Sequence, residues 1–169
     1  MPVQKYIRQS DGVLHETVPA VTSAGSGDDG RLVALDPSGR LDESVLPVGI
    51  GADTAIVQAS EALAAGDLVN VHAASGSFRA RKADASTAGK EAHGFVLAAF
   101  GSGAEATVYM DGTNTQVTGA TPGVRYLSTT PGLSTTTAPT GTGEVVQRIG
   151  VAVAADQLSF EPGQPVVLA

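Results

Sequence analysis

The feature that most constrains the fold is a pair of apolar segments on either side of a glycine-rich turn. The first segment is a continuous apolar run over residues 93–100, which is typical of a strand covered on both faces. After Gly101-Ser102-Gly103, apolar residues alternate with polar ones up to Met110, which is typical of a strand with one buried face. Glycines supply the positive φ angles of a tight reversal. The sequence therefore predicts a β-hairpin over residues 93–110, around which the fold is organised.

Short strand-like segments separated by turn residues make up the chain on both sides of this hairpin. Thr121-Pro122-Gly123 and Thr130-Pro131-Gly132 have the Pro-Gly order of a type II turn, and Gly150 is placed for a bulge in a longer strand. About ten such strands at spacings of roughly 8 to 12 residues are typical of antiparallel folds. We expect residues 51–169 to form an all-β domain, either an antiparallel β-sandwich or a small β-barrel.

Residues 1–50 have a different character, with few apolar residues and a Gly/Ser-rich stretch at 21–30. Residues 31–35 are predicted as a short strand, and Asp36-Pro37-Ser38-Gly39 as a β-turn. We expect an extended N-terminal arm with a linker hairpin that docks on a partner. The candidate contact residues of this arm are Val3, Tyr6, Ile7, Val13 and Leu14.

The core that this composition allows is built from small side chains. Aromatic residues are 4% of the chain, tryptophan is absent, and most apolar residues are Ala, Val and Leu. Burial stabilises by about 25 cal/mol per Å² of apolar surface, so small side chains contribute little each. We therefore expect the chain to gain stability by associating with copies of itself or with a larger partner.

The net charge and the targeting signals limit the classes of partner that we expect the chain to bind. A net charge of −7 disfavours nucleic acid as a ligand, because nucleic-acid binders cluster Lys and Arg. The basic segment Arg79-Ala80-Arg81-Lys82 is predicted as a solvated strand face, with Phe78 and Ala80 pointing inward; a contact with a polyanion is the alternative. There is neither a run of 18 apolar residues nor a signal-peptide core, so we expect a soluble chain made in the cytoplasm, with no membrane partner.

Residue types that carry chemistry are scattered. The absence of cysteine excludes disulfides and thiolate sites, and His15, His72 and His93 lie far apart without adjacent acids. The acidic residues from 28 to 43 do not have the spacing of a calcium loop. We expect no metal and no cofactor.

A hydrolase on a β-scaffold is the weakest of the alternatives. Its acid and base would be Glu105 and Asp111, but the first is predicted to face outward and the second begins a common Asp-Gly turn. The segment Gly141-Thr142-Gly143 lacks the lysine of a phosphate-binding loop. We therefore predict that the chain is not an enzyme.

Several motifs, taken together and in order, resemble a known family. They are Arg-Leu-Val-Ala-Leu-Asp at 31–36 with Gly-Arg-Leu-Asp at 39–42 and Leu-Pro at 46–47, the run 59–70, residues 81–84 with 94–96, and residues 126–128, 146–150 and 160. In this order the sequence resembles the capsid decoration, or cement, proteins of tailed bacteriophages. The resemblance covers most of the chain from about residue 31.

This resemblance implies a non-enzymatic, β-rich homotrimer on the outer capsid surface of the virion, where it stabilises contacts between major capsid protein subunits. No contact residues are carried over from the family. From the arm's own composition we expect it to add a strand to an exposed edge of the capsid protein, with Tyr6, Ile7 and Leu14 filling pockets. Three arms per trimer would then bind a symmetric lattice through effective concentration.

The main alternative is a phage tail-fibre, head-fibre or receptor-binding module that recognises a host surface glycan. Such a module needs a groove with exposed aromatic rings. The sequence offers Tyr6, Tyr109 and Tyr126 for that purpose. A test of glycan binding, or the position of the protein on the virion, distinguishes a receptor-binding module from a capsid decoration protein.

Overall fold

The computed structural model describes residues 4–46 and 51–169, and the chain within these ranges is all-β. It contains fourteen strands, two short 3-10 turns and no α-helix. The predicted fold class is confirmed, with a five-stranded closed barrel as one of its parts. The chain divides into two compact units, Met1–Gly51 and Ala52–Ala169, which we call the arm unit and the barrel unit.

The arm unit begins with a β-hairpin of two five-residue strands, β1 (Tyr6–Ser10) and β2 (Val13–Thr17). Asp11 and Gly12 form its turn with φ angles of 53° and 78°, as a two-residue turn with both central φ angles positive requires. The segment lies within the predicted extended arm. Its two strands pair with each other, however, so the arm is a folded hairpin instead of a single unpaired strand.

The rest of the arm unit is mostly irregular, with 3-10 turns at Ser26–Asp28 and Glu43–Val45. The strand predicted at residues 31–35 is reduced to a single parallel bridge between Ala20 and Val33. The Ala20 amide donates to the Leu32 carbonyl at 2.8 Å, and the Ala34 amide donates to the Ala20 carbonyl at 2.9 Å. Two hydrogen bonds therefore replace the predicted strand.

The barrel unit begins with five strands that close on themselves in the order β3-β5-β4-β6-β7. The β3–β5 pair is parallel and the other four pairs are antiparallel. Small apolar side chains such as Val69, Ala80, Ala106 and Val108 make up most of the interior, as suits the narrow interior of a five-stranded barrel. The strands are β3 (Thr54–Ala59), β4 (Leu68–Ala74), β5 (Ser77–Lys82), β6 (Gly94–Phe95) and β7 (Glu105–Tyr109).

The hairpin predicted over residues 93–110 is only partly correct. The alternation in β7 is as expected, with Ala106 and Val108 buried and Glu105 exposed. The continuous strand over residues 93–100 is wrong, because β6 covers two residues and pairs with β7 only through Phe95 and Tyr109. The chain then bends away, and Phe100 forms a bridge with Leu63.

The second part of the barrel unit is an antiparallel sheet in the order β10-β9-β12-β13-β8. Its register shifts between Arg148 and Gly150, which confirms the predicted bulge. Residues 116–118, which follow the strand at Gly112–Asn114, are irregular. The strands are β8 (Gly112–Asn114), β9 (Gly123–Leu127), β10 (Ser134–Thr135), β12 (Arg148–Ala154) and β13 (Gln157–Phe160), while β11 (Val145–Val146) and β14 (Val166–Val167) form a separate pair.

Phe95 joins the two parts of the barrel unit. Its ring stacks on Tyr109 and meets Phe160 edge-on, each with a centroid distance of 5.5 Å. Such aromatic pairs contribute about 0.5–1.5 kcal/mol beyond the area that they bury. Leu127 and Ile149 complete the same buried cluster, so the barrel and the sheet share one core.

A buried amide makes a second connection between the two parts. The Gln147 side chain accepts a hydrogen bond from the Ala92 amide at 2.8 Å and donates one to the Ala92 carbonyl at 3.0 Å. Ala92 lies in the loop over residues 83–93, between β5 and β6. Asp84 orders the start of this loop: burial alone would raise the pKa of its carboxyl, but hydrogen bonds from Ser86 and Lys90 outweigh burial and lower that pKa.

We predict that Gly150→Ala destabilises the barrel unit by about 3 kcal/mol or more, because a β-carbon at this position would meet the Ser159 carbonyl oxygen and the φ angle of 142° suits glycine. Chemical denaturation measures the free energy of unfolding. Gly101→Ala is the matched control, since its β-carbon would meet no atom within 4 Å, and we expect a change within about 0.5 kcal/mol. Equal effects of the two substitutions would contradict the bulge geometry.

Candidate functional site

One face of the β1–β2 hairpin is open over its whole length. The strand register places Ile7, Gln9, Leu14 and Glu16 on this face, and all four are exposed. Ile7 lies opposite Glu16, and Leu14 lies opposite Gln9, so the two aliphatic side chains are diagonal neighbours across the strands. Their exposed fractions are 65% for Ile7 and 69% for Leu14. These exposed fractions are large for aliphatic side chains, which are usually buried in a folded protein.

The opposite face of the hairpin contacts the arm unit's own loop. The Leu32 amide donates to the Tyr6 hydroxyl at 3.2 Å, and Tyr6 and Arg8 are half-buried. Val13 lies on this face too, beside the turn, and remains 55% exposed. The structure therefore brings together two of the predicted contact residues, Ile7 and Leu14, and places Tyr6 and Val13 on the other face. Val3 lies outside the described residues.

Exposed apolar side chains continue beyond the hairpin. In residues 4–46, Ala20 is the one buried apolar residue. Sequence reasoning predicted a short strand at residues 31–35 and did not identify the exposed side chains beyond the hairpin as contact residues. We call the full set the apolar arm surface: Ile7, Val13, Leu14, Val18, Val21, Leu32, Val33, Leu35 and Leu41.

Polar groups give the arm unit its shape where a core is lacking. One oxygen of Asp36 accepts hydrogen bonds from the Ser38 amide at 2.8 Å, the Ser38 hydroxyl at 2.6 Å and the Arg40 amide at 2.9 Å. The Gly39 amide donates to the Asp36 carbonyl at 2.9 Å, so the predicted turn at residues 36–39 is confirmed. The hydroxyl of Ser38, followed by the Arg40 amide, lowers the pKa of the Asp36 carboxyl.

Asp28 has a similar role in the preceding turn. Its carboxylate accepts from the Ala24 amide at 2.7 Å and pairs with Arg31 at 2.6 Å, and these two contacts lower its pKa. Arg31 in turn donates to the Val18 carbonyl at 2.8 Å. The carboxylates of Asp28 and Asp36 thus stabilise turns. No cluster of metal-ligating side chains occurs in the described parts of the chain.

The side chains considered for catalysis stay apart. His15 is exposed on the hairpin, His72 lies on β4, and the His93 ring accepts from the Val71 amide at 3.1 Å. Glu105 begins β7 and Asp111 lies beyond its end, so a strand of about 13 Å separates them, farther than the paired carboxylates of a glycosidase.

The basic segment at residues 79–82 is largely occupied by internal contacts. Arg81 donates to the Asn70 side chain at 3.0 Å and to the Gly89 carbonyl at 2.6 Å, while Lys82 pairs with Asp67 at 3.2 Å. The predicted inward orientation is right for Ala80 and wrong for Phe78, which is 78% exposed. Phe78 is second in β5, immediately after the β4–β5 turn, where the barrel interior does not reach it.

Comparisons with known proteins give no match: the chain matches no family model, no curated protein and no solved structure. Across residues 4–46 and 51–169, no helix has the length and hydropathy needed to cross a bilayer. The candidate site therefore rests on the geometry of the arm unit itself.

We predict that the turn at residues 36–40 is stable at neutral pH and loosens in acid. A carboxyl whose pKa is lowered by folding stabilises the fold above its ordinary pKa of about 3.9, and this contribution is lost as the pH falls through the lowered value. Amide exchange at Ser38 and Arg40, followed by NMR below pH 4, measures it. In Asp36→Asn this pH dependence should disappear; if it persists unchanged, the Asp36 hydrogen bonds do not hold the turn.

Proposed function

We propose that this chain is a non-enzymatic virion structural protein, a capsid decoration protein that binds the outer surface of a tailed-phage capsid and stabilises contacts between major capsid protein subunits. The observation that carries the proposal is the apolar arm surface, whose nine large aliphatic side chains are exposed in a unit that buries a single alanine among its described residues. Such a surface is typical of a segment that folds against a partner.

The hairpin supplies two means of attachment. Both of its strands are edge strands, so each presents a row of unpaired backbone groups that can accept a strand from a partner. The open face offers Ile7 and Leu14 to an apolar pocket at the same time. Backbone pairing gives affinity with little dependence on sequence, and the aliphatic pair adds specificity. The attachment differs from that of a single arm because the hairpin enters as a preformed unit.

The barrel unit is the body that carries the arm. It has its own buried clusters and needs no contribution from residues 4–46 to fill them. In the proposed homotrimer, three such bodies present three arms to neighbouring capsid subunits. Each arm binds weakly, and linkage raises the combined affinity because the second and third arms bind at high effective concentration.

We predict that the double variant Ile7→Ser/Leu14→Ser binds capsids at least tenfold more weakly than the unchanged chain, because each side chain contributes about 1.5–3 kcal/mol when fully buried. The assay is cosedimentation of the purified chain with capsids of the phage that encodes it. The matched control is Val166→Ser/Val167→Ser, since both valines are exposed strand residues of the barrel unit, at 58% and 52%.

Thermal unfolding of the barrel unit should be the same in both variants, so loss of binding is separable from loss of folding. Unchanged capsid binding by the arm variant would contradict the proposal. Binding of the full chain to a glycan array, with no binding to capsids, would favour the receptor-binding alternative instead.

A further inference from the structure

A cleft of about 300 Å³ opens in the barrel unit. Three segments form its walls: residues 64–68, which lead into β4, residues 116–120 after β8, and residues 132–134, which lead into β10; Leu68 and Ser134 are the first residues of their strands. Leu158 lies at its base, and Arg125 is the basic side chain that lines it. The cleft thus combines aliphatic side chains with polar groups, among them Arg125 and Asp67.

Arg125 lies on the face of β9 where an apolar residue is expected. Residues two apart in a strand share a face, so Arg125 is on the same side as Leu127, which is fully buried. Val124, on the other side, is 44% exposed. The strand therefore turns a cation toward the interior and an aliphatic side chain toward solvent. A local pattern that contradicts the fold in this way often marks a functional site.

The contacts of Arg125 leave its positive charge without a counterion. Its Nε donates to the Ser134 hydroxyl at 3.2 Å and its Nη2 donates to the Ser134 carbonyl at 2.8 Å. Among the residues that the structure describes, no carboxylate lies within 4 Å of the guanidinium, and Nη1 has no hydrogen-bond acceptor. Burial lowers the pKa of Arg125, but an arginine remains charged at neutral pH.

The acid that lines the cleft is already occupied. Asp67 pairs with Lys82 at 3.2 Å and accepts a hydrogen bond from the Ala64 amide at 2.7 Å, and its side chain is 7% exposed. Its charge is therefore largely compensated by Lys82. Asp67 is therefore occupied by Lys82, and an anionic ligand can take the free edge of Arg125.

Hydrogen bonds and close contacts fix the walls of the cleft in advance. The Asn114 side chain donates to the Gly66 carbonyl at 2.9 Å, and the Leu68 amide donates to the Gly132 carbonyl at 2.8 Å. At Gly66 a β-carbon would meet the Gln116 carbonyl oxygen, so two of the walls approach as closely as glycine allows. A preformed site binds without the entropic cost of ordering its walls.

We propose that this cleft binds a carboxylate carried on a short aliphatic stem. The free edge of the Arg125 guanidinium takes the carboxylate through charge-assisted hydrogen bonds, and Val117, Ala120 and Leu133 contact the stem. A small organic acid and the C-terminal residue of a protein both carry this chemistry. The inference does not depend on capsid binding, since the residues that line the cleft belong to the barrel unit.

The test is an NMR titration of the full chain with 4-methylpentanoate, followed at the amides of residues 116–120 and 132–134. We expect a saturable shift at these amides, and at least tenfold weaker binding of the uncharged 4-methylpentanamide. Arg125→Gln should weaken carboxylate binding at least tenfold, whereas Arg79→Gln, which makes the same change in net charge on β5, should leave it unchanged. Equal binding of acid and amide by the unchanged chain would overturn the proposal even if Arg125→Gln failed to fold.

A second titration distinguishes the two possible sources of the carboxylate. The peptide N-acetyl-Gly-Gly-Leu with a free C-terminus is compared with 4-methylpentanoate. At least tenfold tighter binding of the peptide assigns the cleft to a protein C-terminus, and the reverse order assigns it to a free acid. If neither compound shifts the cleft amides, there is no carboxylate site.

Discussion

Buried apolar surface is the quantity on which the rest of this structure depends, and it is divided unequally along the chain. The barrel unit has two buried clusters, one inside the barrel and one between the barrel and the sheet. In the described residues of the arm unit only Ala20 is a buried apolar residue. A hairpin of two strands is marginal in water when nothing packs on it. The barrel unit can therefore be stable alone, whereas the arm unit depends on polar turns and on whatever covers its aliphatic side chains.

The barrel unit buries its mostly small side chains in two clusters, one inside the barrel and one between the barrel and the sheet. Ala and Val make up most of the cluster inside the barrel, and Phe95 contacts Tyr109 and Phe160 at the junction with the sheet. Gln147 ties the same junction with hydrogen bonds to both backbone groups of Ala92. A scaffold connected in this way can keep the walls of the Arg125 cleft in place.

The strands that were predictable from sequence are those with a local signal. The β4–β5 hairpin around Ser75-Gly76 and the bulge at Gly150 follow from alternation and from glycine. The bend within residues 93–100 could not be predicted. A continuous apolar run is compatible both with a continuing strand and with a chain that bends beneath a core. The pairing of β1 with β2 depends on Asp11-Gly12, a turn signal that sequence reasoning did not use. Arg125 could not be found, because its inward orientation depends on strand register and its lack of a counterion depends on distant loops.

Hydrogen exchange on the purified chain, alone and then bound to capsids, tests most directly the claim that the arm unit lacks a core of its own and completes its packing on a partner. The account predicts that amides of β12 and β13 exchange slowly in both samples, while those of β1 and β2 exchange rapidly in the free chain and become protected on the capsid. Strong protection of β1 and β2 in a dilute, monomeric chain, with no change on addition of capsids, would contradict it.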